Sequence, residues 1–227
     1  MTKMKKIFAI IGVAILVSVT FFLLPFGKTE VFNSDEYTHD MNYCKELDSI
    51  PVMSQETGYT CYVVSMAIVK TYLGQAVTEY DLKCELNLLE RTTGMLPREY
   101  LSYANEVFNP LSYSVSLVNP TSQTQILNII SDSLENNLPV IIFYSAADDW
   151  NKPNYNTHYG VIYGIDMRSE KVLLSNPYGY LEELSFTELF SGLDFSGYQS
   201  EPFLFRIGRK LGMVKENSMF IFERTAG

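Results

Sequence analysis

The chain has 227 residues, 47% of them hydrophobic and 14% aromatic, which is enough for one substantial body and a small extra segment. Its net charge of −9 is unevenly spread: all four charged residues before position 29 are lysines, leaving thirteen basic against twenty-six acidic residues in the remainder. So acidic a body, with no basic stripe interleaved by aromatics, excludes nucleic acid as a partner; three cysteines and two histidines cannot make a zinc cluster, and no motif for a nucleotide, haem or other cofactor is present.

The first element is apolar. Residues 7–24 (IFAIIGVAILVSVTFFLL) follow Lys3, Lys5 and Lys6 and run without a charge, and as a helix they would reach about 27 Å. No Ala-x-Ala site closes the run, which favours a membrane anchor over a cleaved signal peptide for residues 1–28. Either way the lysines stay in the cytoplasm and the acidic body crosses. The protein is then a single-pass cell-membrane protein with its domain outside, or a secreted one if the segment is removed.

Residues 29–48, with Asn33, Ser34, Asp35 and Glu36, read as a polar tether, and 49–227 as the folded domain. Cys61 to Leu73 is almost wholly apolar and stops at Gly74, a helix buried on most sides. Thr78 with Asp81 caps a second short helix through Asn87, and Pro97 opens a third through Val107. Leu111, Tyr113, Val115 and Leu117 alternate as a strand, and Thr121 to Asn136 returns to helical spacing with Ile126, Ile129, Ile130 and Leu134 on one face. Pro139–Tyr144, His158–Ile165 and Lys171–Ser175 are strand candidates, and Ser185 with Glu188 caps a last short helix. Phe203–Ile207 and Met219–Glu223 read as closing strands. Helices first and an antiparallel sheet later define an α+β fold.

A thiol hydrolase needs a nucleophile, a base, a group that orients the base and donors for an oxyanion. Cys61 stands at the start of the buried helix, whose dipole, with a neighbouring imidazolium, would lower the thiol pKa. Gln55, six residues before it, is placed to donate to an oxyanion beside the Cys61 N–H, and Gly58 lets the intervening loop turn. His158, at the mouth of an apolar strand, is the base; His39 lies in the tether and reads as solvated. Asn176 is eighteen residues on, the separation of an adjacent antiparallel strand, and its side-chain carbonyl can fix the imidazole tautomer. Asp166 would lie about 26 Å along the same strand and is excluded. Cys44 and Cys84 either pair as a disulfide in an exported domain or remain two thiols, one of them buried.

Gln55–Gly74 (QETGYTCYVVSMAIVKTYLG), His158–Asp166 (HYGVIYGID) and Ser175–Gly179 (SNPYG) together resemble the bacteriocin double-glycine-leader peptidases, more closely their stand-alone peptidase-like branch, within the papain-like cysteine peptidase superfamily. The resemblance covers Ile50 to Leu193. It implies a papain-like fold with N-terminal helices packed on the antiparallel sheet, Cys61 as nucleophile, Gln55 in the oxyanion hole, His158 as base and Asn176 as its partner. Two positions depart from the family pattern: Tyr62 stands where glycine is common, large enough to narrow or block the cleft, and Asn176 stands where aspartate is commoner. No ATP-binding motif accompanies the domain, unlike the transporter-fused enzymes. The expectation is an extracytoplasmic, membrane-tethered cysteine peptidase acting on a polypeptide or cell-envelope substrate. Two alternatives remain: a peptidoglycan amidase or acyl- or peptidyl-transferase using the same thiol, and a non-catalytic surface module that retains the fold.

Overall fold

The computed structural model describes residues 29–149, 152–196 and 203–225. The expected apolar span at 7–24 lies outside these residues; among the described ones no helix is long and apolar enough to cross a membrane. The described chain falls into two compact units, 29–196 with 215–225, and 203–214.

The larger unit is built on a seven-stranded antiparallel sheet. Its strands are β1 (Cys44–Glu46), β2 (Tyr113–Val118), β3 (Val140–Asp149), β4 (Lys152–Asp166), β5 (Lys171–Asn176), β6 (Tyr180–Ser185) and β7 (Ser218–Arg224). Six follow the order β2-β7-β3-β4-β5-β6, while β1 pairs with the far end of β4. The helices are α1 (Cys61–Tyr72), α2 (Glu79–Glu85), α3 (Pro97–Phe108), α4 (Gln123–Glu135) and α5 (Phe186–Leu193). Thr78 with Asp81 and Ser185 with Glu188 form the two capping boxes read from the sequence, each satisfying donors that a helix start leaves open.

Alternation along β3 and β4 gives the sheet two apolar faces. Val140, Ile142, Tyr144 and Ile162 share a core with Ile126, Leu127, Ile130 and Leu134 of α4 and Leu189 and Leu193 of α5. On the aromatic side, Tyr100 of α3 stacks on Tyr159 of β4 at 4.5 Å and meets Phe220 of β7 at 4.4 Å, while its hydroxyl bonds Ser65 of α1 at 3.1 Å. These contacts seat α1 across the sheet and bring its first residue to β4.

Three expectations change. Residues 29–48 are laid against the body rather than strung out as a tether. Tyr37 and Leu47 are buried in the core and the Tyr37 hydroxyl bonds Ser131 at 2.7 Å, so their apolar area outweighs the polar residues between them. His39 pairs with Asp132 at 2.8 Å and Glu135 at 3.4 Å instead of facing solvent alone. Phe203–Ile207 is not a strand: in the smaller unit α6 (Phe203–Lys210) is a helix. The alternation of Phe203, Phe205 and Ile207 imitates a strand, but Phe203, Ile207 and Leu211 also recur at helical spacing, and Gly212, at φ +70°, ends the helix.

Candidate active site

α1 begins without help from a side chain, since Thr60 makes no capping hydrogen bond. The Val63 and Val64 amides both reach the Thr60 carbonyl, at 3.0 and 3.2 Å. The amides of Cys61 and Tyr62 act instead on the Cys61 thiol, which they pull down. A third amide, that of Tyr159, joins them.

The strand register explains why Tyr159 can do this. β5 pairs with β4 only as far as Val161 opposite Ser175, whereas β3 continues along β4 past Tyr144 opposite His158. Pro177 has no N–H to extend β5, and the chain turns away after Asn176. One edge of β4 at His158 and Tyr159 is therefore open, and the start of α1 approaches there.

The turn that ends β5 organises the rest. The Asn176 side-chain oxygen Oδ1 accepts the Tyr178 amide at 2.9 Å, an Asx turn, and the Asn176 carbonyl accepts from Gly179. That identifies Oδ1 as the oxygen, so the His158 contact to it, 3.0 Å from Nε2, must be an N–H donation. Neutral His158 then carries its proton on Nε2, and Nδ1 is the basic nitrogen. The Tyr178 ring stacks on the imidazole, centroids 4.4 Å apart and planes 12° off parallel. His158 and Asn176 are each only 2% exposed. The same turn holds Gln55, whose amide donates to the Pro177 carbonyl at 2.7 Å, beside a bridge of Ser54 to Tyr178. Gln55 Nε2 donates to the Thr57 carbonyl at 2.6 Å, within the loop that leads to Cys61.

Two expectations about Cys61 and the residue after it need correction. Cys61 is 6% exposed, and burial pushes its thiol up to about 11, against the three amides that pull it down; Glu79 adds to the rise. Desolvation outweighs the three amides, so burial holds the thiol above its ordinary value. Tyr62 does not stand in a cleft: its side chain is 0% exposed, with the Arg91 guanidinium 5.6 Å from the ring centroid. Arg91 is held in turn by Glu99 and by the carbonyls of Thr93 and Gly94. Cys44 and Cys84 are both exposed, free thiols, so neither the disulfide nor the buried member of the pair is seen. Asp166 is spent on the amides of Arg168 and Ser169 at the far end of β4.

One residue beside this group escaped sequence reasoning. Asn176 Nδ2 donates to Glu182 Oε2 at 3.0 Å. Its signal is the hairpin: Asn-Pro-Tyr-Gly-Tyr is a turn, Asn176 pairs with Tyr180 across it, and Glu182 lies two residues further on the same face. Without reading β6 as a strand, nothing places Glu182 there.

A comparison with curated proteins finds no match. Among solved structures, the chain is similar to a double-glycine-motif protease from an AMS/PCAT transporter, solved in complex with the leader peptide, at 12% identity and a TM-score of 0.51, over 79% of this chain and 95% of that one. It is also similar to a protein assigned as a C39-like peptidase from Bacillus anthracis, at 14% identity and a TM-score of 0.53, over 82% of this chain and all of that one. At these identities the likeness concerns the fold. The profile of the Peptidase C39-like family matches residues 47–188, most of the chain and every candidate residue from Gln55 to Glu182, and the chain belongs to that family.

Proposed function

We propose that the chain is a cysteine peptidase in which Cys61 is the nucleophile, His158 the base, Asn176 the group that orients the base and Gln55 an oxyanion donor. The observation that carries this reading is the arrangement around β4: His158 donates from Nε2 to Asn176 at 3.0 Å, and the amide of the next residue, Tyr159, pulls the Cys61 thiol down. A base with a fixed tautomer and a thiol brought to the same stretch of β4 are what acyl transfer through sulfur requires.

A thiol raised by burial shapes the mechanism. Attack on a peptide carbonyl is coupled to transfer of the Cys61 proton to His158 Nδ1, so the charge pair forms as the S–C bond does. The oxyanion takes the Cys61 amide and the second hydrogen of Gln55 Nε2; the first is used on Thr57. Collapse expels the amine, which leaves with the proton from His158, and a water activated by the same imidazole hydrolyses the thioester. The apolar N-terminal segment supports an anchored domain working outside the membrane on a polypeptide or cell-envelope substrate.

The test is alkylation of Cys61 by iodoacetamide, read by peptide mapping because Cys44 and Cys84 are exposed, free thiols that react as well. His158→Ala should slow the reaction at Cys61 alone, by about tenfold or more at pH 7; equal rates in both proteins would sink the Cys–His pair. Incubation with a peptide library and with muropeptides then separates a peptidase from an amidase, and Cys61→Ala must abolish whichever turnover is found.

A further inference from the structure

We infer that Glu182 is a positioning residue for this site: its carboxylate supplies, through the Asn176 amide, the negative charge that stabilises protonated His158. This rests on the reading of Cys61 and His158 as a catalytic pair.

An imidazolium formed during attack is stabilised by a nearby anion, and Asn176 is neutral. Its two ends are nevertheless fully committed. Oδ1 accepts from His158 Nε2 at 3.0 Å and from the Tyr178 amide at 2.9 Å, while Nδ2 donates to Glu182 Oε2 at 3.0 Å. The amide therefore acts as a polar link between ring and carboxylate, each hydrogen bond in the chain polarising the next. Among the described residues no cation holds Glu182: its neighbour Glu183 pairs with Lys171, whereas Glu182 meets Asn176 and the Tyr180 hydroxyl, with Glu188 and Tyr144 the other titratable groups that feel it.

Burial is the largest influence on Glu182 and raises its carboxyl above the usual range, with Glu188 pushing the same way and the bonds from Asn176 and Tyr180 opposing. A carboxylate kept where desolvation opposes its charge destabilises the fold, so folding alone gives no reason for it to be there.

The test uses the full chain and compares Cys61 alkylation in wild type, Glu182→Gln, His158→Ala and the double variant Asn176→Asp/Glu182→Gln. Glutamine keeps an oxygen for Asn176 Nδ2 and removes only the charge. The carboxylate lies two hydrogen bonds from the ring, about 7 Å, where a unit charge in a partly wet protein site shifts an equilibrium by on the order of tenfold. Glu182→Gln should thus lower the plateau rate about tenfold and move the acid limb of the profile, set by His158 protonation, to lower pH by about one unit. The double variant moves the charge onto position 176, where the amide introduced at position 182 can donate to it, and should restore the rate. A Glu182→Gln profile that overlays wild type, while His158→Ala is slow, overturns the role of Glu182 alone. A slow Glu182→Gln without the acid-limb shift, or with no rescue by the double variant, also overturns it and makes the residue structural. If His158→Ala matches wild type, the catalytic pair itself fails.

Discussion

Truncating Tyr62 separates two accounts of the residue that follows Cys61. On sequence grounds its bulk suggests an obstruction beside Cys61; in the fold it is core. The ring is 0% exposed, and Tyr62→Ala would remove its packing and its contact with Arg91, 5.6 Å from the ring centroid. Aromatic-to-alanine changes at fully buried sites cost about 3–5 kcal/mol, and a cation–π contact about 0.5–1 kcal/mol more. For a domain of this size, 1 kcal/mol corresponds to about 2–4 °C, so the midpoint should fall by roughly 7–24 °C. The Tyr62 hydroxyl is buried and finds no hydrogen-bond partner among the described residues. Tyr62→Phe should therefore be neutral or stabilising, by up to about 1 kcal/mol. Thermal melts of the three proteins, run beside iodoacetamide alkylation of Cys61, give the answer. If Tyr62→Ala melts within about 2 °C of wild type and its Cys61 reacts several-fold faster, the ring is a gate and its assignment to the core is refuted.

Further outcomes follow from the same geometry. Gly179 has φ +93°, and a Cβ there would sit 2.9 Å from Ser54 Cβ, so Gly179→Ala should cost about 1–3 kcal/mol; because that turn holds both Asn176 and the Gln55 segment, Cys61 alkylation should slow as well, and a variant with normal melting and normal reactivity would show the turn to be dispensable. Glu182 has a folded pKa above its ordinary 4.5, so the stability it contributes is full below that value and is lost as pH rises through the folded pKa; the melting temperature of Glu182→Gln minus that of wild type should grow between about pH 4 and pH 7, and a gap that shrinks contradicts the burial argument. The Cys61 thiol, at about 11 against an ordinary 9.0, contributes stability that is full below pH 9 and fades through pH 11; between about pH 8 and pH 10 urea titrations should show wild type losing about 1.4 kcal/mol more than Cys61→Ala, the buried tyrosines being common to both.

What could be read from the sequence and what could not divide along physical lines. Elements whose signal is local were legible: the glycine-terminated apolar run of α1, the Thr78 and Ser185 capping boxes, the proline opening α3, and the two strands that carry His158 and Asn176. The pairing of those two residues was legible as well, because antiparallel neighbours eighteen positions apart leave few registers, and it appears as a 3.0 Å hydrogen bond. Tyr62 and Cys61 were misjudged for one shared reason. Spacing tells which residue is next to Cys61 but not which way α1 is rotated, and that rotation is set by long-range packing through Ser65, Tyr100 and Tyr159. Rotation buries Tyr62 and, with it, the sulfur, so desolvation outweighs the amides that pull the thiol down.

Glu182 marks a different boundary. Nothing about a glutamate in Tyr-Leu-Glu-Glu-Leu distinguishes it from its neighbour Glu183, which ends in a surface pair with Lys171 at 2.6 Å. What separates them is strand parity: Asn176 faces Tyr180, and Glu182, two residues on, shares that face while Glu183 takes the other. The distinction exists only once the hairpin register is known, and a one-residue slip would exchange the two glutamates. The Asn176 side chain fixes that register and also holds His158. The oxygen that sets the turn is therefore the oxygen that orients His158, and a substitution that shifts the β5–β6 register should disable His158 without touching it.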